Sequence, residues 1–500
     1  MAEIPVLPYG SSSTLSGLSE TFAFHASPER FITARVVQFR SSHPELAESR
    51  FPIRAKILKR NVAVISSYSH VKRVLCELEI SELLSASKAY DELMAPFFPP
   101  PNLLLTDPPE HGREKSRWLT FMHERLSNVG EKIENIMLSH FAAHPSGVEI
   151  DLYESMKTLA WKLILNIFLA DGDSYMEDEE FASQVISLQD YVLRGQFSLF
   201  PVSISTRFWT SPRAKALKAR QMLQQLLKSH LYRKELSRFD AAKKDDEAES
   251  LAREFLLFTS SIAAKALASL LTALMLNLFS NGLNGKKRQL IERIRALARF
   301  DERADLIKSI ILETERLSPP VVGIMRRTTK DVILGPSESH EKSILIPRGW
   351  DMWLYFVGAA RDPAMFGTDA DLFQPDRYCK GGPKANEGFA FGRGPKTCLG
   401  QKLIRNILTK FVHLCLGDQA DSLPLDIQAP CKNEMPVGVQ GWLGWRADVP
   451  AEEWARDMKQ LPTQRPRQPV KVTLIHNLDI SNTKGSKTSE WIQERDLPGS

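Results

Sequence analysis

A chain of 500 residues that is 43% apolar and 25% charged can bury a large core beneath a soluble surface. A formal net charge of +5 at this length excludes the strongly basic character of a general nucleic-acid binder. Cysteines at 76, 379, 398, 415 and 431, none in CxxC spacing, indicate a reduced intracellular protein rather than a disulfide framework.

The N-terminus through Phe24 has no basic segment leading into an apolar block, so neither a signal peptide nor a membrane anchor is expected. Residues 1–27 are therefore read as an N-terminal extension. Pro28 to Phe39 has the spacing of an amphipathic helix. Ile53 to Leu58 and Val62 to Ser66 read as two short strands, and Tyr68 to Leu78 returns to helical spacing. From Gly112 to about Arg233 the pattern is mostly helical. Phe197 to Trp209, rich in aromatics and hydroxyls, reads as an irregular cap.

Phe255 to Phe279 is long enough to cross a bilayer. Lys265 and the hydroxyls of Thr259, Ser260, Ser261 and Ser269 interrupt it, and no second span follows. It is expected to be the buried part of one long helix, Glu247 to Asn281, in a cytoplasmic protein. A further helix, Asp301 to Leu317, stops at Pro319-Pro320 and brings Glu313 and Arg316 onto one face, three residues apart. Short strand-like pieces follow, then Arg377, whose planar fork suits a carboxylate. Glu313, Arg316 and Arg377 are expected to form a structural clamp. Helices dominate, with small sheets at one side, and residues 450–500 read as a polar C-terminal extension after a catalytic domain at 28–449.

The most informative stretch runs from Phe391 through Gly392, Gly394 and Lys396 to Cys398 and Gly400. One cysteine sits on a glycine-rich loop that leads straight into an apolar helical pattern (Leu399, Leu403, Ile404, Ile407, Leu408). Glycines allow positive φ and close approach, and a helix N-terminus favours negative charge on sulfur. Haem iron is one of the few partners that uses one protein thiolate as its axial ligand. A phosphate-binding reading fails, because Pro395 removes an amide donor and no Gly-Lys-Ser/Thr follows.

The order of pieces resembles the cytochrome P-450 superfamily: Glu313-x-x-Arg316, Ala360-Arg361-Asp362-Pro363, Pro375-x-Arg377, and Phe391-Gly-x-Gly-x-x-x-Cys398-x-Gly400. The resemblance covers roughly residues 28–445. It implies a mainly α prism-shaped fold with small β-sheets, haem b (iron protoporphyrin IX), and Cys398 as the iron's thiolate ligand. It also implies that His111 and Lys115, on the helix after Asp107-Pro108-Pro109-Glu110, and Arg326 hold the haem propionates. Lys396 stands where the family usually carries arginine or histidine, and keeps the positive charge.

One departure bears on mechanism. The family's distal helix usually carries an acid and a threonine that relay protons during dioxygen cleavage. In the most natural register Ile262 and Ala263 stand there, and neither carries a proton. Ser260 or Ser261 supplies a hydroxyl if the register differs by part of a turn, which makes them the candidate catalytic pair. Otherwise substrate or water delivers protons, or dioxygen is not used. The resemblance therefore implies a monooxygenase acting on a small lipophilic or aromatic, secondary-metabolite-like molecule. A redox-neutral or peroxide-dependent enzyme (isomerase, dehydratase, cyclase) and a non-catalytic haem-binding protein stay open.

The apolar pocket wall is expected from Phe97, Phe98, Leu103, Leu104, the cap Phe197 to Phe208, Phe258 and Val321 to Ile324. Lys380, Lys384, Lys402, Arg405 and Lys410 form a basic rim around the cysteine loop. Such a rim fits docking of NADPH-cytochrome P-450 reductase.

Overall fold

The computed structural model describes residues 14–42, 52–57, 60–170, 175–176, 178–198, 203–234, 244–279, 288–335, 343–379, 388–417, 426–428, 458–466 and 469–475. Most of these residues are helical, and the strands gather into small sheets. The fold is thus mainly α with a minor β part, as the sequence implies.

The largest sheet among the described residues has five strands. Ile53–Ile57 and Arg60–Ile65 form an antiparallel hairpin. Val62 to Ile65 then pairs in parallel with Asp351 to Leu354. Asp351–Tyr355 pairs antiparallel with Gly323–Thr328, which sets Arg326 opposite Met352. Leu84–Ser85 closes the edge. Beside this sheet lies the helix Tyr68–Cys76, started by Ser67, whose hydroxyl accepts from the His70 amide. Its buried Val71, Val74 and Leu75 share a core with Leu354, Phe356 and Phe389. Phe389 precedes the cysteine loop, so the loop's entry is fixed by the sheet's own core.

The helical body is organised around Ser261–Phe279, which is buried along nearly its whole length. Leu152–Phe168 packs along it after an Asp151 N-cap. The apolar window inside residues 246–279 is 78% buried, the pattern of a core helix.

The expected single helix from Glu247 to Asn281 is two helices, Lys244–Phe258 and Ser261–Phe279, broken at Thr259-Ser260. The hydroxyls cause the break by competing with the backbone ladder. Thr259 Oγ1 donates to the Phe255 carbonyl at 2.7 Å, and the Ser260 amide reaches back only to Leu257 O at 3.1 Å. The Leu256 carbonyl, left without its usual partner, accepts Gln189 Nε2 at 3.0 Å. The helix end at Gly282 lies outside the described residues.

Residues 458–475, expected within a polar C-terminal extension, pack into the body. Lys471–Ile475 pairs with both Glu149–Asp151 and Asp426–Gln428, and burial of Val472 and Leu474 holds it there. The expected pocket wall also divides. Phe97 and Phe98 are core residues, whereas Phe208 is 92% exposed and lines no pocket. Leu103, Leu104, Phe258, Ile262 and Ala263 are only partly buried, packed against the core.

Candidate active site

The cysteine loop owes its path to glycine. Gly392 and Gly394 have φ of +67° and +69°, the left-handed region. Gly394 also lies directly on the Leu75 carbonyl, where a Cβ would overlap the oxygen. The loop closes by a bond from Cys398 N to Phe391 O at 2.8 Å, and Gly400 caps the helix Gln401–Leu416.

Cys398 is solvent-accessible, yet its sulfur is desolvated by surrounding protein. Its side chain therefore lines a cleft that water reaches but protein surrounds. Burial pushes the thiol up, while the Gly400 amide, the Lys115 ammonium and the Gln401 amide pull it back. Phe391 lies under the Arg405 guanidinium at 5.6 Å, and Arg405 donates charge-assisted bonds from Nε and Nη2 to the Glu315 carboxylate.

His111, Lys115, Arg326 and Lys396 gather on one side of this cleft. Burial, with Lys396, Lys115 and Arg326 close by, pushes His111 down to about 4. Lys396 is pushed down to about 8, first by burial and then by Arg326. Burial likewise lowers Arg326, with Tyr90 and Asp107 opposing. Lys396, Arg326 and the His111 imidazole thus share one nearby carboxylate among the described residues, Asp107, which is already engaged by Ser85 Oγ and the Ala86 amide, and Lys115 adds a further cation beside Cys398. His111 is buried, and its Nδ1 has no partner among the described residues. A buried orphan within an excess of positive charge is what two carboxylates would satisfy. The donor set therefore fits haem propionates beside a thiolate. Lys115 also bonds Pro395 O and Thr397 O, and Lys396 bonds the carbonyls of Leu103, Leu104 and Thr106. These two lysines therefore tie the cysteine loop to the helix Glu110–Asn128 and to the segment before it.

Glu313, Arg316 and Arg377 come together. Arg316 Nε and Nη2 each reach the Glu313 carboxylate at 2.7 Å, and Arg377 Nε reaches it at 3.0 Å. Arg316 spends its remaining donors on the Ala360, Ala370 and Leu372 carbonyls. The Gln374 amide also donates to Glu313, so the chain leading toward Cys398 is fastened to this helix.

The distal helix shows where its hydroxyls point. Ser260 Oγ accepts the Ala263 amide at 3.2 Å, as an N-cap does. Ser261 Oγ donates to Asp190 Oδ1 at 2.5 Å, and Lys265 Nζ pairs with the same oxygen at 2.9 Å. Ser261 is fully buried, whereas Ile262, Ala263 and Ala266 form the partly open stripe. At 100° per residue, Ser261 points well away from the middle of that stripe.

Of the basic rim, Arg405 and Lys410 are paired with Glu315 and Glu134, which reduces its net charge. Lys380 and Lys384 lie outside the described residues. The residues that grip the distal break, Gln189 and Asp190, and the acid behind Arg405, Glu315, went unnoticed in the sequence. Their partners are 67 or more residues away and leave no local signal.

The cytochrome P450 family model matches residues 298–418. An echinocystic acid 23-monooxygenase of Saponaria officinalis is 38% identical over 103 residues, 20% of this chain and 19% of that one. The matched stretches of such curated relatives span about a fifth of each relative's length. Among solved structures, the retinoic-acid-bound cyanobacterial CYP120A1 superimposes with a TM-score of 0.69 at 17% identity, covering 95% of this chain and all of that one. Cytochrome P450EX alpha with myristic acid superimposes at 0.64 with 14% identity, covering 95% and 100%. The full-length likeness shows the fold, and the local match contains the clamp and the cysteine loop. Residues 298–418 match the cytochrome P450 family, and the chain as a whole has the fold of the solved cytochromes P450 on which it superimposes.

Proposed function

We propose that this chain binds haem b through Cys398 and oxidises a small lipophilic molecule as a monooxygenase. The observation that carries the reading is the pairing of one cleft-wall cysteine with a neighbouring excess of half-buried cations and a buried, orphaned imidazole. When bound, haem would supply dioxygen activation, with the Cys398 thiolate donating electron density to it. The chain's own residues do the rest. The Gly400 and Gln401 amides hold charge on Sγ, and Lys115, Lys396 and Arg326 neutralise the propionates, with His111 donating a hydrogen bond. Phe258, Ile262 and Ala263 make the distal wall apolar and keep water sparse. Ser260 and Ser261 hold the break in the distal helix, and their hydroxyls are committed to that task. The substrate class rests on the apolar wall, on a relative named for echinocystic acid and on a structural neighbour with bound retinoic acid. A reductase would dock on the proximal face around Lys402.

A peroxide-driven or redox-neutral reaction is the second reading, favoured by the absence of a proton-bearing side chain at 262 and 263. Turnover of a lipophilic substrate panel with NADPH and reductase, against peroxide alone, separates the two. The first reading expects product only with the reductase. Product with peroxide alone, or conversion without any oxidant, overturns it.

A further inference from the structure

The last turn of the helix Phe300–Leu317 grips the cysteine loop from two sides. Glu313 fastens the chain before the loop, through the Gln374 amide and Arg377. Two residues on, Glu315 turns to the chain after it. Arg405, on the helix Gln401–Leu416, donates to this second acid from Nε at 2.9 Å and from Nη2 at 2.6 Å. The two acids are balanced differently. Arg316 and Arg377 both meet Glu313, so its charge is more than matched. Among the described residues Glu315 pairs with Arg405 alone, one charge against one.

The partners of this pair stand in unlike surroundings. The Glu315 side chain is 4% exposed and that of Arg405 is 32% exposed. Burial pushes the Glu315 carboxyl up, and the Arg405 guanidinium opposes that push. Two short parallel bonds from a guanidinium fork are the geometry that keeps a carboxylate ionised. On its other side the guanidinium lies over the Phe391 ring, 5.6 Å from its centroid. The Phe391 carbonyl in turn accepts the Cys398 amide at 2.8 Å. Arg405 is therefore pressed against the residue that closes the cysteine loop.

We propose that Glu315 and Arg405 form a charge-balancing pair that sets how readily the Cys398 site accepts an electron. A nearby cation favours an added electron, and a nearby anion disfavours it. The guanidinium raises the electron affinity of the site, and the buried carboxylate behind it takes most of that gain away. Arg405 lies seven residues beyond Cys398 on a mostly helical path, a separation on the order of 10 Å. At that range, with an effective dielectric constant of about 20, one uncompensated unit charge changes an equilibrium about tenfold. Both are positioning residues, acting through Phe391 and through space. The proposal rests on the reading of Cys398 as the thiolate ligand of haem, and it assigns a role to two residues which that reading leaves unused.

Redox titration of the full-length, haem-loaded proteins tests it, with the midpoint potential of the bound haem as the readout. Glu315→Gln keeps the shape of the acid and removes its charge. It is expected to raise the midpoint by about tenfold in the reduction equilibrium, about 59 mV for one electron. Glu315→Gln combined with Arg405→Met removes both charges, and is expected to return the midpoint to within about threefold of the unaltered protein. A purely structural role gives the reverse order, because the double variant then disturbs the loop at least as much as the single one. Glu134, Arg303, Lys410 and His413 line the groove onto which Arg405 opens, and they are the same in every protein compared. An unmoved or lowered midpoint in Glu315→Gln, or a double variant that keeps the shift of the single one, overturns the proposal. Should Glu315→Gln fail to fold, Arg405→Met alone decides the matter at about pH 9.5, where a buried carboxyl released from its partner is ionised. Its midpoint is expected below that of the unaltered protein, and an equal or higher value overturns the proposal. A loaded protein whose reduced carbon monoxide adduct lacks the thiolate-type Soret band contradicts the reading of Cys398 instead, so the two failures are told apart.

Discussion

Glu313→Gln should cost the cofactor-free protein about 3–5 kcal/mol, because it removes one charge from a fully buried ion pair and leaves the other. Glu313 and Arg316 are both 0% exposed, and Arg377 is 8% exposed, so water cannot replace the lost carboxylate. The neutral amide keeps one acceptor oxygen for the three donor groups and turns an NH2 toward the guanidiniums in place of the other. Against a total stability on the order of 5–15 kcal/mol, a loss of that size leaves a marginal fold. Denaturant titration checks it, with Glu302→Gln as control. That residue pairs with Arg299 at 3.0 Å on the surface and should cost less than about 1 kcal/mol. Equal effects at the two positions would remove the clamp from the account.

Gly394→Ala should be nearly as damaging for a different reason. The position combines a φ of +69° with contact against the Leu75 carbonyl, so an added methyl group meets backbone strain and a rigid oxygen together. Left-handed φ in a residue with a Cβ costs about 1–2 kcal/mol, and forced overpacking adds about 1–3 kcal/mol. The chain can relieve the clash only by moving the turn Gly394–Lys396 away from the helix Tyr68–Cys76. That movement pulls Lys396 off the Leu103, Leu104 and Thr106 carbonyls and shifts Cys398. Haem retention should therefore fall more than global stability. The ratio of bound haem to protein after gel filtration, read beside the denaturation midpoint, separates the two effects. Gly388→Ala, where nothing lies within 4 Å of the added carbon, should change neither.

Much of this site was legible because its chemistry is local. The spacing of Glu313 and Arg316 is a helical spacing, and the Gly392–Gly400 loop announces its positive φ through residue type. The arginine at 377 was readable as a carboxylate fork even though its partner lies 64 positions away. What escaped was set by competition between alternatives that sequence does not rank. Thr259, Ser260 and Ser261 either continue a helix or break it, and the outcome depends on Gln189 and Asp190 arriving from another helix. The same contacts settle where the serine hydroxyls point, which spacing alone left open. Arg405 and Lys410 looked like part of a free basic rim because Glu315 and Glu134 are distant in sequence. The hairpin at 458–466 looked peripheral because its composition is polar. Gln460 is buried because Glu29 and Tyr355 offer its side chain partners, and Pro320 accepts the Gln464 backbone amide, and a hydropathy reading counts none of those.

The most direct test of the account is the difference spectrum of the reduced, haem-loaded protein with and without carbon monoxide. Sulfur ligation by Cys398 predicts the strongly red-shifted Soret band of a thiolate adduct, lost in Cys398→Ser while Cys379→Ser retains it. A colourless protein after haem reconstitution, an adduct at the unshifted position, or a red-shifted band that survives Cys398→Ser would contradict it.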